Sequence, residues 1–305
     1  MADVREIKNR MNSVRDTMKI TNAMHMISTT KLKQAKRALN KTEPFFEELQ
    51  KTMHDIIKRF PSAPYIFFED EENQKISKKK TCYLVITGDK GLAGAYNHNA
   101  CKLALEHMEK NAGEESCFCT VGIFGYHFFS KKEYNLKKDF QFTASNPTLK
   151  KARLIADELV DMYLSRKADE IYVIYTKNES AISSKTIIEK LLPLSKENFQ
   201  VREAASELPI YPSAEEIVSA LVPDYLTGYI FATLMESYTS EQNARVMAME
   251  SATRNAKIML QEMSIVYNRL RQANITQEIT EVVSGARAQK NKKKMKFKEG
   301  DHSLS

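Results

Sequence analysis

The 305-residue chain has no tryptophan, only nine glycines and eight prolines, and four cysteines. It lacks any run of about 18 apolar residues, the length a membrane-spanning helix needs, so no segment is expected to cross a bilayer. The start, MADVREIKNRM, has no apolar leader and reads as helix, which leads to the expectation of a cytoplasmic chain. Cys82, Cys101, Cys117 and Cys119 form no CxxC pair and are expected to be buried free thiols rather than metal ligands. The six histidines (His25, His54, His98, His107, His127, His302) make no HExxH and no cluster with cysteine, and no G-x-S-x-G is present. The sequence therefore holds no catalytic constellation and no metal site.

Glycine and proline are also unevenly spread. Past Gly228 the chain reads YIFATLMESYTSEQNARVMAMESATRNAKIMLQEMSIVYNRLRQANITQEITEVVSG, with neither residue until Gly285. Pro223 suits a first helical turn and Gly285 a stop, so one helix is expected from about 223 to 285. Roughly 60 residues at 1.5 Å each make a rod of roughly 90 Å. A compact chain of this length is a globule only ~50 Å across, so such a helix has to project and pack against something else. Met249, Ala252, Ala256, Met259, Met263, Val266, Leu270 and Ala273 step along it by three and four. That is the 3.5-residue period of a left-handed coiled-coil seam.

The N-terminal segment carries the same period in Val4, Ile7, Met11, Val14, Met18, Thr21, His25, Ser28, Leu32, Ala35 and Leu39. The simplest closure is an antiparallel coiled coil between the two chain ends. Pro44 is expected to kink or break the first helix, and Phe60-Pro61 to end it near residue 60. An acidic-then-basic linker, 61–80, follows.

Residues 81–212 have a different grammar. CYLVIT, CFCTVGIFG and EIYVIYT are apolar runs of strand length, alternating with the helical stretches NHNACKLALEHMEKN and LKKARLIADELVDMYLSRK. Phe140-QFT, ISSKTIIEKLLPL and ELPIYP add weaker extended pieces. This alternation predicts a mainly parallel sheet covered by helices. The expected fold is thus α/β plus coiled coil, with a Rossmann-like α/β domain inserted into an antiparallel pair of terminal helices. Ser213-AEE reads as a capping box opening a short helix that ends before Pro223. After Gly285 the basic stretch ARAQKNKKKMKFKEGDHSLS, 286–305, is expected to be disordered.

One segment invites a chemical reading. GDKGLAGAYN, after the first strand, is a glycine-bearing strand-to-helix turn of the kind that cradles phosphate on backbone N–H groups. Its spacing is neither GxGxxG nor GxxxxGK[ST], so the expectation is a tight turn without a cofactor. The net charge is +7, and the Lys290–Lys298 block can attract polyanions. No reader motif accompanies it, so no nucleic-acid partner is expected. Two other readings compete with a mechanical subunit: a coiled-coil scaffold that uses its basic tail on nucleic acid or membrane, and a nucleotide-binding enzyme built on the α/β insert.

Two blocks bear on family. RMNSVRDTMKITNAMHMISTTKLKQAKR near the start and TSEQNARVMAMESATRNAKIM…YNRLRQANITQEITEVVSGA near the end, with ITGDKGLAGAYN between them, closely resemble the gamma subunit of the F-type ATP synthase. The resemblance covers about residues 1–286. It implies a central rotor shaft at the cytoplasmic face of a bacterial cell membrane, not itself catalytic. The coiled coil would turn inside the ring of alpha and beta subunits, and the α/β domain would rest on the epsilon subunit and the membrane c-ring, driven by protons or sodium ions. It further implies that Lys19, Met24, Arg245, Arg271, Gln272, Thr276 and Glu278 face the ring. Lys31, Lys33, Lys36 and Lys41, with Glu207–Tyr211, would lie toward the foot. Asn22 stands where the family usually has a basic residue, Ala93 replaces a common cysteine, and the cysteine-bearing insert of chloroplast forms is absent.

Overall fold

A computed structural model describes residues 2–61, 63–69, 79–111, 115–131, 134–180, 183–195, 211 and 213–301. They form two compact units, His25–Ala248, and Met1–Met24 with Met249–Ser305.

The larger unit contains a five-stranded sheet. Its strands are β1 (Lys80–Ile86), β2 (Glu115–Val121), β3 (Leu136–Phe142), β4 (Glu170–Asn178) and β5 (Ser184–Leu192), in spatial order β3-β2-β1-β4-β5. The first four are mutually parallel and β5 is antiparallel to β4. Helices α2 (Tyr96–Lys110), α3 (Ile123–Lys131) and α4 (Leu149–Leu164) connect the strands. Parallel strands covered on both faces need apolar residues at every position, which is why β1 reads as an unbroken run. Cys82, Leu84 and Ile86 join Ile155 and Leu159 of α4 in one core cluster, while Tyr83 and Val85 join Ala100 and Ala104 of α2 and Phe129 of α3 in another. The Phe118 and Phe129 rings stack with centroids 4.3 Å apart. Full burial of one such side chain contributes about 2–3 kcal/mol.

Two details differ from the sequence reading. The IFG of CFCTVGIFG opens α3 instead of extending β2, because Gly122 turns the chain at φ +96°. A Cβ there would lie 2.3 Å from the Thr87 carbonyl oxygen, so the turn admits only glycine. Strand β3 also starts earlier than Phe140. Lys137, Lys138 and Asp139 disguise it, as charged residues do on an edge strand with one solvated side. Of ELPIYP, only Tyr211 falls among the described residues, where it is exposed. The linker residues 70–78 lie outside the described residues as well.

The two long helices are α1 (Ala2–Arg59) and α5 (Ala214–Asp301). Each passes through residues expected to stop it. Pro44 sits inside α1 without ending it. Pro223 sits inside α5, which begins at Ala214 with the Glu216 N–H donating to Ser213 Oγ at 3.1 Å. Val218, Val222, Leu226 and Ile230 are all buried across that proline. At about 1.5–3 kcal/mol each they outweigh its penalty of about 3 kcal/mol. Gly285 does not stop α5 either, and residues 286–301 are helical rather than disordered. A helical glycine costs only about 1 kcal/mol, and the Ala, Arg, Gln and Lys that follow are good helix formers. The expectation that no stretch is apolar enough for a membrane also needs correcting: α5 contains such an 18-residue window by composition, and half of it is buried within the chain.

Within the larger unit, Phe46 of α1 lies against Gly228 of α5, and the Lys31 charge acts on Glu241. One numbering falls as the other rises, so the pair is antiparallel. Its α1 seam holds: Ser28 and Ala35 are buried, and His25, Leu32 and Leu39 are partly buried.

In the smaller unit Thr21 Oγ1 and Thr253 Oγ1 are 2.8 Å apart, and the Thr253 hydroxyl also donates to Asn22 Oδ1 at 3.4 Å. Val4, Ile7, Met11, Val14, Met18 and Thr21 all face inward, as their spacing predicts. The α5 seam is half right. Met249, Ala252, Ala256, Met263 and Leu270 are covered, but Met259, Val266 and Ala273 are exposed, and Leu260, Tyr267 and Asn274 take their places. A 3.5-residue period fits two neighbouring rows on a helix. Side-chain hydrophobicity favoured the row with Met259 and Val266 over the one with Tyr267 and Asn274.

Candidate functional site

In an open α/β sheet, ligands bind beyond the carboxyl ends of the strands, where the strand order reverses. Here that point lies between β1 and β4. The turn after β1 fills it with its own bonds. Thr87 Oγ1 donates to the Val121 carbonyl at 3.0 Å and accepts from the Gly125 N–H at 2.9 Å. Asn97 Oδ1 accepts from the Gly88 N–H at 2.7 Å. The Asp89 carboxylate accepts three backbone N–H bonds, from Ile123 (3.3 Å), Ala144 (3.0 Å) and Ser145 (2.8 Å). Ile123 opens α3, so the aspartate takes a helix N-terminal donor of the kind that binds phosphate, while Ala144 and Ser145 follow β3. Burial works to raise the Asp89 carboxyl, but these bonds prevail and hold it below the usual carboxylate range.

The polar face of α5 closes the rest of the crevice. Ser237 Oγ is 2.7 Å from the Tyr96 hydroxyl, Thr239 accepts from Asn178 Nδ2 at 3.0 Å, and Ser240 donates to the Thr176 carbonyl at 2.9 Å. Arg245 donates to Glu241 Oε1 at 2.6 Å and to the carbonyls of Gly91 (3.1 Å) and Lys90 (3.3 Å). A Cβ on Gly88 would stand 2.9 Å from Glu241 Oε1, so a larger residue there would press on the buried carboxylate. The place where relatives of this architecture put a nucleotide is taken by the chain's own helix. No group of three or more His, Cys, Asp or Glu side chains is placed to hold a metal ion among the described residues.

Arg245 is therefore not presented outward, as the resemblance implied; it is 6 % exposed and committed to the turn. The sequence reading missed Asp89, Asn97 and Glu241. A Glu-Arg pair spaced i, i+4 amid apolar and small residues, and an acid directly after a buried strand, were the available signals.

The other anticipated residues belong to the smaller unit. Lys19 is exposed and pairs with Asp16 at 3.0 Å, and Met24 is half-buried. Arg271, Gln272, Thr276 and Glu278 are all exposed, and the Thr276 hydroxyl turns back to the Gln272 carbonyl at 2.9 Å. At 3.6 residues per turn, Gln272 and Thr276 share one side of α5, while Arg271 and Glu278 flank the seam. Counted back from Thr21–Thr253, α1 runs out opposite about Gln272, and from residue 275 to 290 every α5 residue is exposed. Ile258 and Ile265, with Ile279 and Val283, are exposed on the side away from the seam. Ile265 is 70 % and Val282 72 % exposed. Lys31, Lys33 and Lys36 are exposed in the larger unit, whereas Glu207–Ile210 fall outside the described residues.

The family model described as ATP synthase matches residues 3–289. The ATP synthase gamma chain of Ruminiclostridium cellulolyticum is 40 % identical over 292 residues, covering 94 % of this chain and 98 % of that one. The sodium-ion-specific ATP synthase gamma chain of Acetobacterium woodii is 36 % identical over 304 residues, covering 94 % and 98 %. In fold, a chain of the Euglena gracilis mitochondrial ATP synthase matches with a TM-score of 0.66 at 16 % identity over 94 % of both chains. A Rossmann-like sheet whose ligand crevice is closed by a terminal helix, an antiparallel helical pair and near-complete overlap with these relatives agree: the chain belongs to the ATP synthase gamma chain family.

Proposed function

We propose that the chain is the central-stalk rotor of a proton- or sodium-translocating F-type ATP synthase, working as a non-catalytic coupling element. In this reading the paired helices of the smaller unit turn inside the ring of alpha and beta subunits. The α/β unit rests on the epsilon subunit and the membrane c-ring, at the cytoplasmic face of a bacterial membrane. Lys19, Met24, Arg271, Gln272, Thr276 and Glu278 are the residues that meet the ring, and Arg245 acts from within by holding the turn after β1.

The observation that carries this reading is the apolar side of α5 opposite the seam. Ile258, Ile265, Ile279 and Val283 are left uncovered by the chain itself, and Ile275 and Val282 lie beyond the reach of α1. Exposed apolar surface of this extent marks a surface made for a partner. It lies on the far side from α1, so a partner meets α5 there, as the wall of a ring around the helix pair would. Coupling then consists of different contact energies with each ring subunit at each angle.

The test is the double substitution Ile258→Asp, Ile265→Asp in the full chain. Both sites are exposed, so the melting temperature of the isolated chain should stay within a few degrees of wild type. Recovery of a complex with alpha and beta subunits should fall severalfold. Unchanged assembly and unchanged ATP-driven ion pumping would overturn the reading.

A further inference from the structure

Three thiols lie together on one face of the sheet. Cys82 of β1 is in register with Cys117 of β2, and its Sγ is 3.6 Å from that of Cys119, two residues on. Cys82 and Cys119 are buried, whereas Cys117 is only partly so, which makes Cys117 the one a solute can reach. Lys137 of β3 lends its positive charge to Cys117 while its Nζ contacts Glu158 Oε1 at 2.9 Å.

Strand geometry favours a Cys82–Cys117 bridge over a Cys82–Cys119 one. Paired residues on neighbouring strands have Cα atoms ~4.8 Å apart, within the ~4.4–6.8 Å span of a disulfide. A partner two residues further along lies about 8 Å away, outside it. We infer that Cys117 and Cys82 are a modification site: Cys117 is the thiol that attacks a hydroperoxide and Cys82 the one that resolves it into a disulfide.

The step balances with the peroxide as two-electron oxidant. The Cys117 thiolate sulfur attacks one peroxide oxygen, the O–O bond breaks, and the departing hydroxide takes a proton to leave as water. The Cys82 sulfur then attacks the resulting sulfenic sulfur, the S–O bond breaks, and a second water leaves with the Cys82 proton. Two thiols and one hydrogen peroxide become one disulfide and two waters. The electrostatics agree. The neighbouring Cys82 thiol and then the Lys137 charge hold Cys117 below the usual thiol range against the effect of burial, while the adjoining thiols and burial push Cys82 up.

The experiment treats the folded full-length chain with hydrogen peroxide and maps its peptides without reduction. The expected result is loss of two thiols per chain, one linked Cys82–Cys117 peptide pair, and reversal by dithiothreitol. Cys82→Ala should stop at a sulfenic acid on Cys117 that dimedone traps, and Lys137→Met should slow alkylation of Cys117 roughly two- to tenfold. Linkage to Cys119 or Cys101, oxidation of the other thiols ahead of Cys117, or no thiol loss at all would overturn the assignment. Peptide mapping of the wild-type chain decides between these without any variant having to fold.

Discussion

The Arg245 guanidinium and the Glu241 carboxylate, one helical turn apart on α5, meet at 2.6 Å where both are buried, and the same guanidinium nitrogen donates to the Lys90 and Gly91 carbonyls. One side chain thus ties the long helix to the turn after the central strand. Burial raises the Glu241 carboxyl, and the Arg245 charge opposes that shift. Arg245→Ala would strand a buried carboxylate and two carbonyls. We predict a loss of about 3–5 kcal/mol in the larger unit, with Arg245→Lys intermediate because it keeps the charge but not the guanidinium's shape and reach. Urea unfolding checks it, and a loss below about 1 kcal/mol would show the pair to be incidental.

Asp89 gives a pH signature. Its folded-state carboxyl lies below the ordinary value of 3.8. A depressed group adds stability that is present above the unfolded value and lost as pH falls through the folded one. The stability difference between wild type and Asp89→Asn should therefore be level near neutral pH and shrink below about pH 4. Glu241 shifts the opposite way, so the difference between the two proteins is the quantity to follow, not the wild-type curve alone. A difference that does not change with pH would mean the three backbone bonds do not depend on the charge.

Gly228 separates packing from propensity. A Cβ there would fall 1.9 Å from the Phe46 ring. Helix propensity alone makes Gly228→Ala stabilising by about 1 kcal/mol, whereas overpacking costs about 1–3 kcal/mol. Net destabilisation is expected, with recovery in the Gly228→Ala, Phe46→Leu double variant. Thermal melts of the four proteins form the cycle, and a stabilised single variant would refute the contact.

Removing residues after Ala286 should leave coupled ATP synthesis in membrane vesicles near wild type. The family match ends at residue 289, and the R. cellulolyticum relative is covered over 98 % of its own length. A large loss of synthesis with normal assembly would assign the basic end of α5 a share in coupling.

The sequence exposes this fold most clearly where a single period repeats over many turns. Val4 to Leu39 could be placed on a seam because ten successive steps agree, and β1, β2 and β4 because buried parallel strands tolerate little but apolar residues. Boundaries were harder to read. Pro44, Pro223 and Gly285 carry local penalties, but packing over neighbouring turns decides whether a helix ends there. The crevice was hidden for another reason. Glu241 is far in sequence from Asp89 and Asn97, and the three gain meaning only when the fold brings α5 to the turn after β1. Arg245 stands in a family motif, but its partners lie within the chain.

Thr21 and Thr253 touch although 232 positions separate them. Synthesis makes the first half of the seam at the start and its cover near the end, so α1 emerges from the ribosome with its inner row wet. Closing a free loop of that length costs about 5 kcal/mol of entropy. If the sheet forms first, Lys31 and Glu241 are already drawn together, and the remaining turns can zip outward one at a time. The strands in the middle of the chain then set the timetable for its two ends.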